Sequence, residues 1–247
     1  MLLLRVSLNK CLKTGPDNLN SMAGVLMRAR VGSIVIKADI EAMFHMVRVT
    51  ERDSDSLRFL WTDNIHSNDP PYVLKMLVHP FGAKDSLTCA IHALNQTARD
   101  NVNDFSPLAI ETVLKSFYVD DLLKSVHDEE VAIVLANELI ELLKRGTFRL
   151  TKWVSNSSAV LKSIPPSEVA TNMLVELDSG NLERPLDALW DVQKDIFTFR
   201  FTAREFVNSK RGVLQVTSSI FDPSGAILPF IKHAKILFQE LWRLELD

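Results

Sequence analysis

The 247-residue chain reads as an α+β protein. Three observations carry that expectation. Short β-branched or alternating apolar runs are mixed with segments of helical period, and the two do not alternate as strictly as a parallel α/β sheet requires. Hydrophobic residues make up 47% and charged residues 24% of the chain, proportions that supply a sizeable core and exclude intrinsic disorder for its bulk. There are no internal repeats and no low-complexity tracts, so a solenoid or fibrous architecture does not arise.

The elements follow in order. Gly15-Pro16-Asp17-Asn18 is a turn and start signal, and Leu19, Met22, Val25 and Leu26 share one face of a helix over 19–30. Ile34-Val35-Ile36 is a short β-branched run that suits a buried strand. Leu57–Trp61 and Val73–Val78 read as two further strands, separated by a polar loop ending in Pro70-Pro71. The pattern turns helical over Ser86–Arg99. Ser116–Val126 is strand-like on both sides of an Asp-Asp centre. Asp128–Lys144 is an amphipathic helix with Val131, Val134, Leu135, Leu139 and Leu142 on one side, closed by Gly146 before a strand that starts at Phe148-Arg149-Leu150. Pro165-Pro166 then breaks the chain, which places a boundary near residue 163. Ile196–Phe201 alternates as a strand. Phe221-Asp222-Pro223-Ser224-Gly225 is a turn before a final helix carrying Ile227, Phe230, Ile231, Ala234, Leu237, Phe238 and Leu241.

Several classes of function fall away. No run approaches the roughly 18 apolar residues of a membrane helix, and Met1–Arg5 is too short an apolar stretch for a signal peptide. Cys11 and Cys89 make no disulfide framework and suit a reducing, intracellular compartment, cytoplasmic or nuclear. The six histidines show no metal-ligand spacing with either cysteine, so no zinc site is expected. No Gly-x-Ser-x-Gly elbow or Walker loop occurs, and nothing favours a glycosidase carboxylate pair. A net charge of −3 gives no global attraction to nucleic acid, although residues 1–37 hold Arg5, Lys10, Lys13, Arg28, Arg30 and Lys37 against Asp17, a local charge of +5.

Two places put carboxylates where chemistry can use them. One is Asp39, at the end of the Ile34 strand. The other is Asp120-Asp121, at the middle of the apolar segment Phe117–Leu123 and so at the tip of a tight hairpin. A buried carboxylate is costly unless a cation or metal pairs with it. Bringing the tip beside the end of the Asp39 strand gathers oxygen ligands of the kind that Mg²⁺ takes, and two such ions can clamp a phosphoryl transfer. Each place taken singly also suits a structural role, Asp39 as a helix cap and Asp120-Asp121 as a turn.

The combination resembles the palm of a reverse transcriptase, most closely those of the BEL/Pao class of LTR retrotransposons. Lys37-Ala38-Asp39-Ile40-Glu41-Ala42-Met43-Phe44-His45 is similar to the first palm motif, and Leu57–Trp61 to the strand that comes next. His79-Pro80-Phe81-Gly82-Ala83-Lys84-Asp85-Ser86 resembles the glycine-containing second motif. Phe117-Tyr118-Val119-Asp120-Asp121 matches the Tyr-x-Asp-Asp signature. Gly146–Asn156 resembles the lysine-bearing fourth motif, and Ser218–Gly225 the segment beyond the palm. The match spans about residues 7–247.

The resemblance implies a palm of antiparallel sheet with helices on one face, with partial fingers in 1–163 and a thumb- or connection-like region in 164–247. It implies RNA-directed DNA polymerase activity with Mg²⁺ or Mn²⁺, on an RNA or DNA primer–template with deoxynucleoside triphosphates. Asp39 and Asp120 become the principal metal ligands and Asp121 a supporting one. Lys152 reaches the leaving pyrophosphate or donates a proton. Backbone groups of Ile40, Glu41 and Ala42 approach the triphosphate, Phe44 lies beneath the sugar, Tyr118 lies near the primer end, and Gly82 admits the template or incoming base. Each of three side chains also suits a structural role, Phe44 in the core, Tyr118 packed in the scaffold and Lys152 solvated at the surface.

Departures from the family pattern are Phe81 where many members have Gln, Asp85-Ser86-Leu87 where Ser-Pro is common, and Met46 where Gln is usual. Asp85 adds a negative charge near the template path. The chain is expected to begin just after the basic fingers segment and to end before any ribonuclease H, with other parts of a retroelement polyprotein as partners. The alternative reading is a catalytically inactive retroelement remnant that acts at most as a nucleic-acid- or protein-binding module.

Overall fold

The computed structural model describes residues 7–64, 70–170, 182–183, 189–191, 196–198, 209–218, 225 and 227–244. The architecture is α+β. A four-stranded sheet of order β4-β5-β1-β6 is formed by β1 (Ile34–Ile40), β4 (Phe117–Tyr118), β5 (Asp121–Val126) and β6 (Leu150–Ser155), each antiparallel to its neighbour. The remaining elements of the first 163 residues are α1 (Leu8–Cys11), α2 (Met22–Arg28), α3 (Glu51–Ser54), β2 (Arg58–Trp61), β3 (Tyr72–Lys75), α4 (Ser86–Asp100), α5 (Pro107–Lys115), α6 (Glu129–Arg145) and α7 (Ser158–Ser163). Further on, β7 (Leu182–Glu183), β8 (Leu189–Asp191) and β9 (Ile196–Thr198) make an antiparallel meander, and α8 (Lys210–Ser218) and α9 (Leu228–Arg243) complete the described chain.

Alternation along β1 sets up two cores. Ile36, Ala38 and Ile40 point to one face, where Leu122, Leu150 and Trp153 join side chains of α4, α5 and α6. Val35 points to the other, where Leu123 and Val154 pack under Val25, Leu26 and Ala29 of α2 and its C-cap. The expectation of helices on one face is therefore corrected. Residues of both parities are apolar at this end of the sheet, so a second helix is needed to keep Val35 and Leu123 from water.

Helix α6 is capped by Gly146 as expected, but its buried stripe differs in detail. Ala132, Leu135, Ala136, Leu139, Leu142 and Leu143 face the core, while Val131 and Val134 are exposed. The small Ala132 and Ala136 permit close approach to the sheet, which rotates the helix away from its two valines. Helix α5 is not evident from the periodicity. Its start is nonetheless a local signal: Ser106 Oγ accepts from the Ala109 N–H at 3.2 Å, with Pro107 in the first turn. The chain stays on the main core past Pro165-Pro166. Ile164 and Val169 are buried there, and the Ala170 N–H donates to the Trp153 carbonyl at 3.1 Å.

The β2–β3 hairpin stands apart from both cores. Leu60 and Val73 pair on one face, while Phe59 with Leu74 and Trp61 with Tyr72 pair on the other, and all six side chains are exposed. The expected turn at 221–224 lies outside the described residues, as does Arg5.

Candidate active site

The β1–β5 register puts Asp39 directly opposite Asp121, and the Ile40 N–H donates to the Asp120 carbonyl at 2.9 Å. Asp120 occupies the two-residue tip between the paired Tyr118 and Asp121. The other tip residue, Val119, has φ 57°. Two-residue hairpins need positive φ and ordinarily use Gly or Asn for it. A β-branched residue there is strained by roughly 1–3 kcal/mol. The hairpin closes tightly regardless, because Phe117 and Leu122 on its arms are buried in the main core.

Burial pushes the Asp120 carboxyl up from its ordinary range. A hydrogen bond from backbone opposes the shift, the charge of Asp39 adds to it, and Lys152 opposes it. Like charges facing each other across an antiparallel pair are destabilising, and Asp39 and Asp121 face each other in this way. The carboxylates therefore sit where a divalent cation would relieve both the desolvation and the repulsion. Their oxygen donors suit a hard ion such as Mg²⁺ or Mn²⁺.

Lys152 arrives through a β-bulge. Lys37 faces Val154 but Asp39 faces Thr151, so Lys152 and Trp153 together oppose Ala38. Lys152 takes the left-handed conformation, φ 53°, and its Nζ lies 3.2 Å from Asp39 Oδ2. The side chain is 70% exposed, against 24% for Asp39. The ion pair therefore lies at the mouth of the site and adds little stability.

The segment after Asp39 is tightly held. The Glu41 N–H donates to the Arg149 carbonyl at 2.9 Å, and the Glu41 carboxylate pairs with Arg149 at 2.8 Å. Arg149 also holds Glu168 at 2.6 Å, and the two acids push its guanidinium pKa up, Glu168 the more. The Ile40 and Glu41 N–H groups are thus engaged within the fold. In the αL residue Ala42, φ 48°, the N–H has no bond to any described residue. Phe44 is buried in the main core, with its ring edge-on to Phe81 at 4.7 Å between centroids. Through that contact the Phe81-Gly82 turn docks on the 3-10 turn Met43–Met46. Gly82 has φ 84° and open space where a Cβ would stand, so backbone angle rather than crowding calls for glycine. Its carbonyl accepts from Asn9 Nδ2 at 2.8 Å. Tyr118 packs against the α2-side core. The N-terminal cations are partly absorbed by the fold, since the Arg28 guanidinium donates to the Lys115 carbonyl.

Some residues of interest carry no obvious signal in the sequence. The Arg149–Glu41–Glu168 cluster joins three distant segments, although Arg149 lies within the lysine-bearing motif and Glu41 within the first. Contrary to the spacing argument against a metal-binding histidine–cysteine set, His79, Asp85 and Cys89 bring their ligand atoms within 4.8 Å of one another. Burial, with the Asp85 charge adding to it, pushes the Cys89 thiol up.

A family model described as a Pao retrotransposon-like RNaseH-like domain matches residues 209–247, which include α8 and α9. The match supports a Pao retrotransposon-related protein. From its sequence the chain is expected to end before any ribonuclease H, and the match falls on its C-terminal helices. No match to a curated protein was found. Among the described residues, no helix is long and apolar enough to cross a membrane.

Proposed function

We propose that residues 1–163 form the palm, with part of the fingers, of a BEL/Pao-type reverse transcriptase, followed by a thumb- or connection-like region in 164–247. On this reading the chain carries out RNA-directed DNA synthesis from deoxynucleoside triphosphates on an RNA or DNA primer–template. The observation that supports it is the convergence of Asp39, Asp120 and Asp121 at one end of an antiparallel sheet, with Lys152 Nζ 3.2 Å from Asp39. The retrotransposon relationship of residues 209–247 is consistent with it.

Asp39 and Asp120 hold Mg²⁺ or Mn²⁺ in this reading, with Asp121 in support. Bound cations supply positive charge at the α-phosphate and ease loss of the primer hydroxyl's proton. The chain's own groups position the reactants. Lys152, exposed at the mouth of the site, faces the leaving pyrophosphate and can give it a proton. Ala42 offers its N–H to the triphosphate, while Ile40 and Glu41 shape the turn that presents it. Phe44, braced by Phe81, forms the floor beneath the sugar, and Tyr118 fixes the hairpin that carries Asp120. Gly82 leaves open space for a base.

The test is primer extension on an RNA template with Mg²⁺ or Mn²⁺, beside Asp39→Asn and Asp120→Asn. Extension that both substitutions abolish supports polymerase chemistry on these carboxylates. Absence of extension from folded, monodisperse protein refutes it. The doubly exposed β2–β3 hairpin favours the second reading, an inactive remnant that binds protein or nucleic acid, because apolar surface of this kind commonly marks an interaction site.

A further inference from the structure

A second group of metal-ligating side chains lies at the start of α4, outside the carboxylate site. His79 is anchored by its N–H, which donates to the Val47 carbonyl at 3.1 Å. Asp85 is the N-cap residue of α4, but its side chain makes no cap bond. The Cys89 N–H donates to the Asp85 carbonyl at 3.0 Å, an i→i+4 bond that stacks the two side chains on one helix face. The three ligand atoms lie within 4.8 Å of one another. A tetrahedral site with bonds of about 2.0–2.3 Å needs about 3.3–3.8 Å between ligand atoms. Small side-chain rotations close that gap.

Two observations separate this cluster from a chance grouping. His79 is 8% exposed, and its ring makes no hydrogen bond among the described residues. Asp85 Oδ1 is buried and has no hydrogen-bond partner among the described residues. An unpartnered buried polar atom is costly, and one that lies beside a buried histidine and a thiol is explained by a ligand between them. The three residues also line a cavity of about 330 Å³, together with Thr50, Asp53 and Leu57, so a fourth position opens on space rather than on packed side chains. Nitrogen and sulfur donors favour a borderline or soft ion over Mg²⁺.

We propose that His79, Asp85 and Cys89 bind one divalent cation of the zinc class, with the fourth position open to the cavity. Binding displaces the thiol proton to solvent and forms a metal–thiolate bond. The site is independent of the polymerase reading.

Titration of the purified full chain with Co²⁺ tests it. The expected result is saturation at one equivalent, with thiolate-to-cobalt charge-transfer absorption and the intense visible bands of tetrahedral cobalt. Zn²⁺ displaces the signal and Mg²⁺ does not. Cys89→Ser removes the charge-transfer band and Cys11→Ser retains it. His79→Gln weakens binding by at least the roughly 10–100-fold typical of losing an outer-shell partner. Alkylation of the unmutated chain adds a control that needs no variant to fold, since Zn²⁺ should protect Cys89 and leave Cys11 reactive. A folded chain without a charge-transfer band, a band that follows Cys11, or Cys89 alkylated equally with and without Zn²⁺ overturns the proposal.

Discussion

Replacing Lys152 by Gly and by Ala separates two effects that the bulge combines. Both variants lose the ion pair to Asp39, whose 3.2 Å separation corresponds to about 1.3 kcal/mol of Coulomb attraction at the dielectric of water. At 70% exposure of the lysine the net value falls to about 0–1 kcal/mol. That loss is common to both variants and cancels between them. What differs is the backbone. With φ at 53°, a residue bearing a Cβ carries about 1–2 kcal/mol of left-handed strain, which glycine escapes. Glycine gives back about 0.5–1 kcal/mol through the entropy of the unfolded chain. Lys152→Gly should therefore be more stable than Lys152→Ala by about 1 kcal/mol, or ~2–4 °C in Tm for a chain of this size. Thermal unfolding by circular dichroism without divalent cations measures the difference. An Ala variant equal to or more stable than the Gly variant would refute the strained bulge. Primer extension should fall alike in both, because neither retains Nζ.

Asp120→Asn should stabilise the cation-free chain at neutral pH. A carboxyl whose pKa is raised by folding favours the native state at pH below its unfolded value, near 3.8, and that advantage is lost as pH rises through the raised value. The variant's Tm should thus exceed the parent's above that window and converge with it in acid, and a lower Tm at pH 7 would contradict the assignment. Gly32→Ala should lower Tm by several degrees, because its Cβ would stand 2.4 Å from the Val126 carbonyl oxygen, and overpacking against backbone costs about 1–3 kcal/mol. Gly82→Ala meets no atom within 4 Å and should cost only its backbone strain, so equal losses from the two would dispute the contact. Leu60→Lys with Val73→Lys should suppress concentration-dependent light scattering while leaving the unfolding transition within about 0.5 kcal/mol, since both side chains are exposed. Unchanged scattering would clear the hairpin of a role in association.

Much of this protein is local in origin, and the sequence determined that part. The β-branched run at Ile34, the apolar arms around Asp120-Asp121 and the helical period of 129–145 each specify an element within a few residues, because side-chain period and turn chemistry act at short range. The antiparallel α+β character and the placing of Asp39 and Asp120 at element ends were legible for the same reason. Only the tertiary structure decided the rest. The single-residue register shift between β1 and β6 turns Lys152 onto Asp39, and nothing in Thr151-Lys152-Trp153 announces a bulge. The rotation of α6 that exposes Val131 and Val134 depends on two alanines meeting the sheet. The engagement of the Ile40 and Glu41 N–H groups needs partners more than 75 residues away. His79, Asp85 and Cys89 follow no ligand spacing, and they converge because a loop anchored to Val47 meets the first turn of α4. Contacts of this kind are set by long-range packing, which no window of sequence contains.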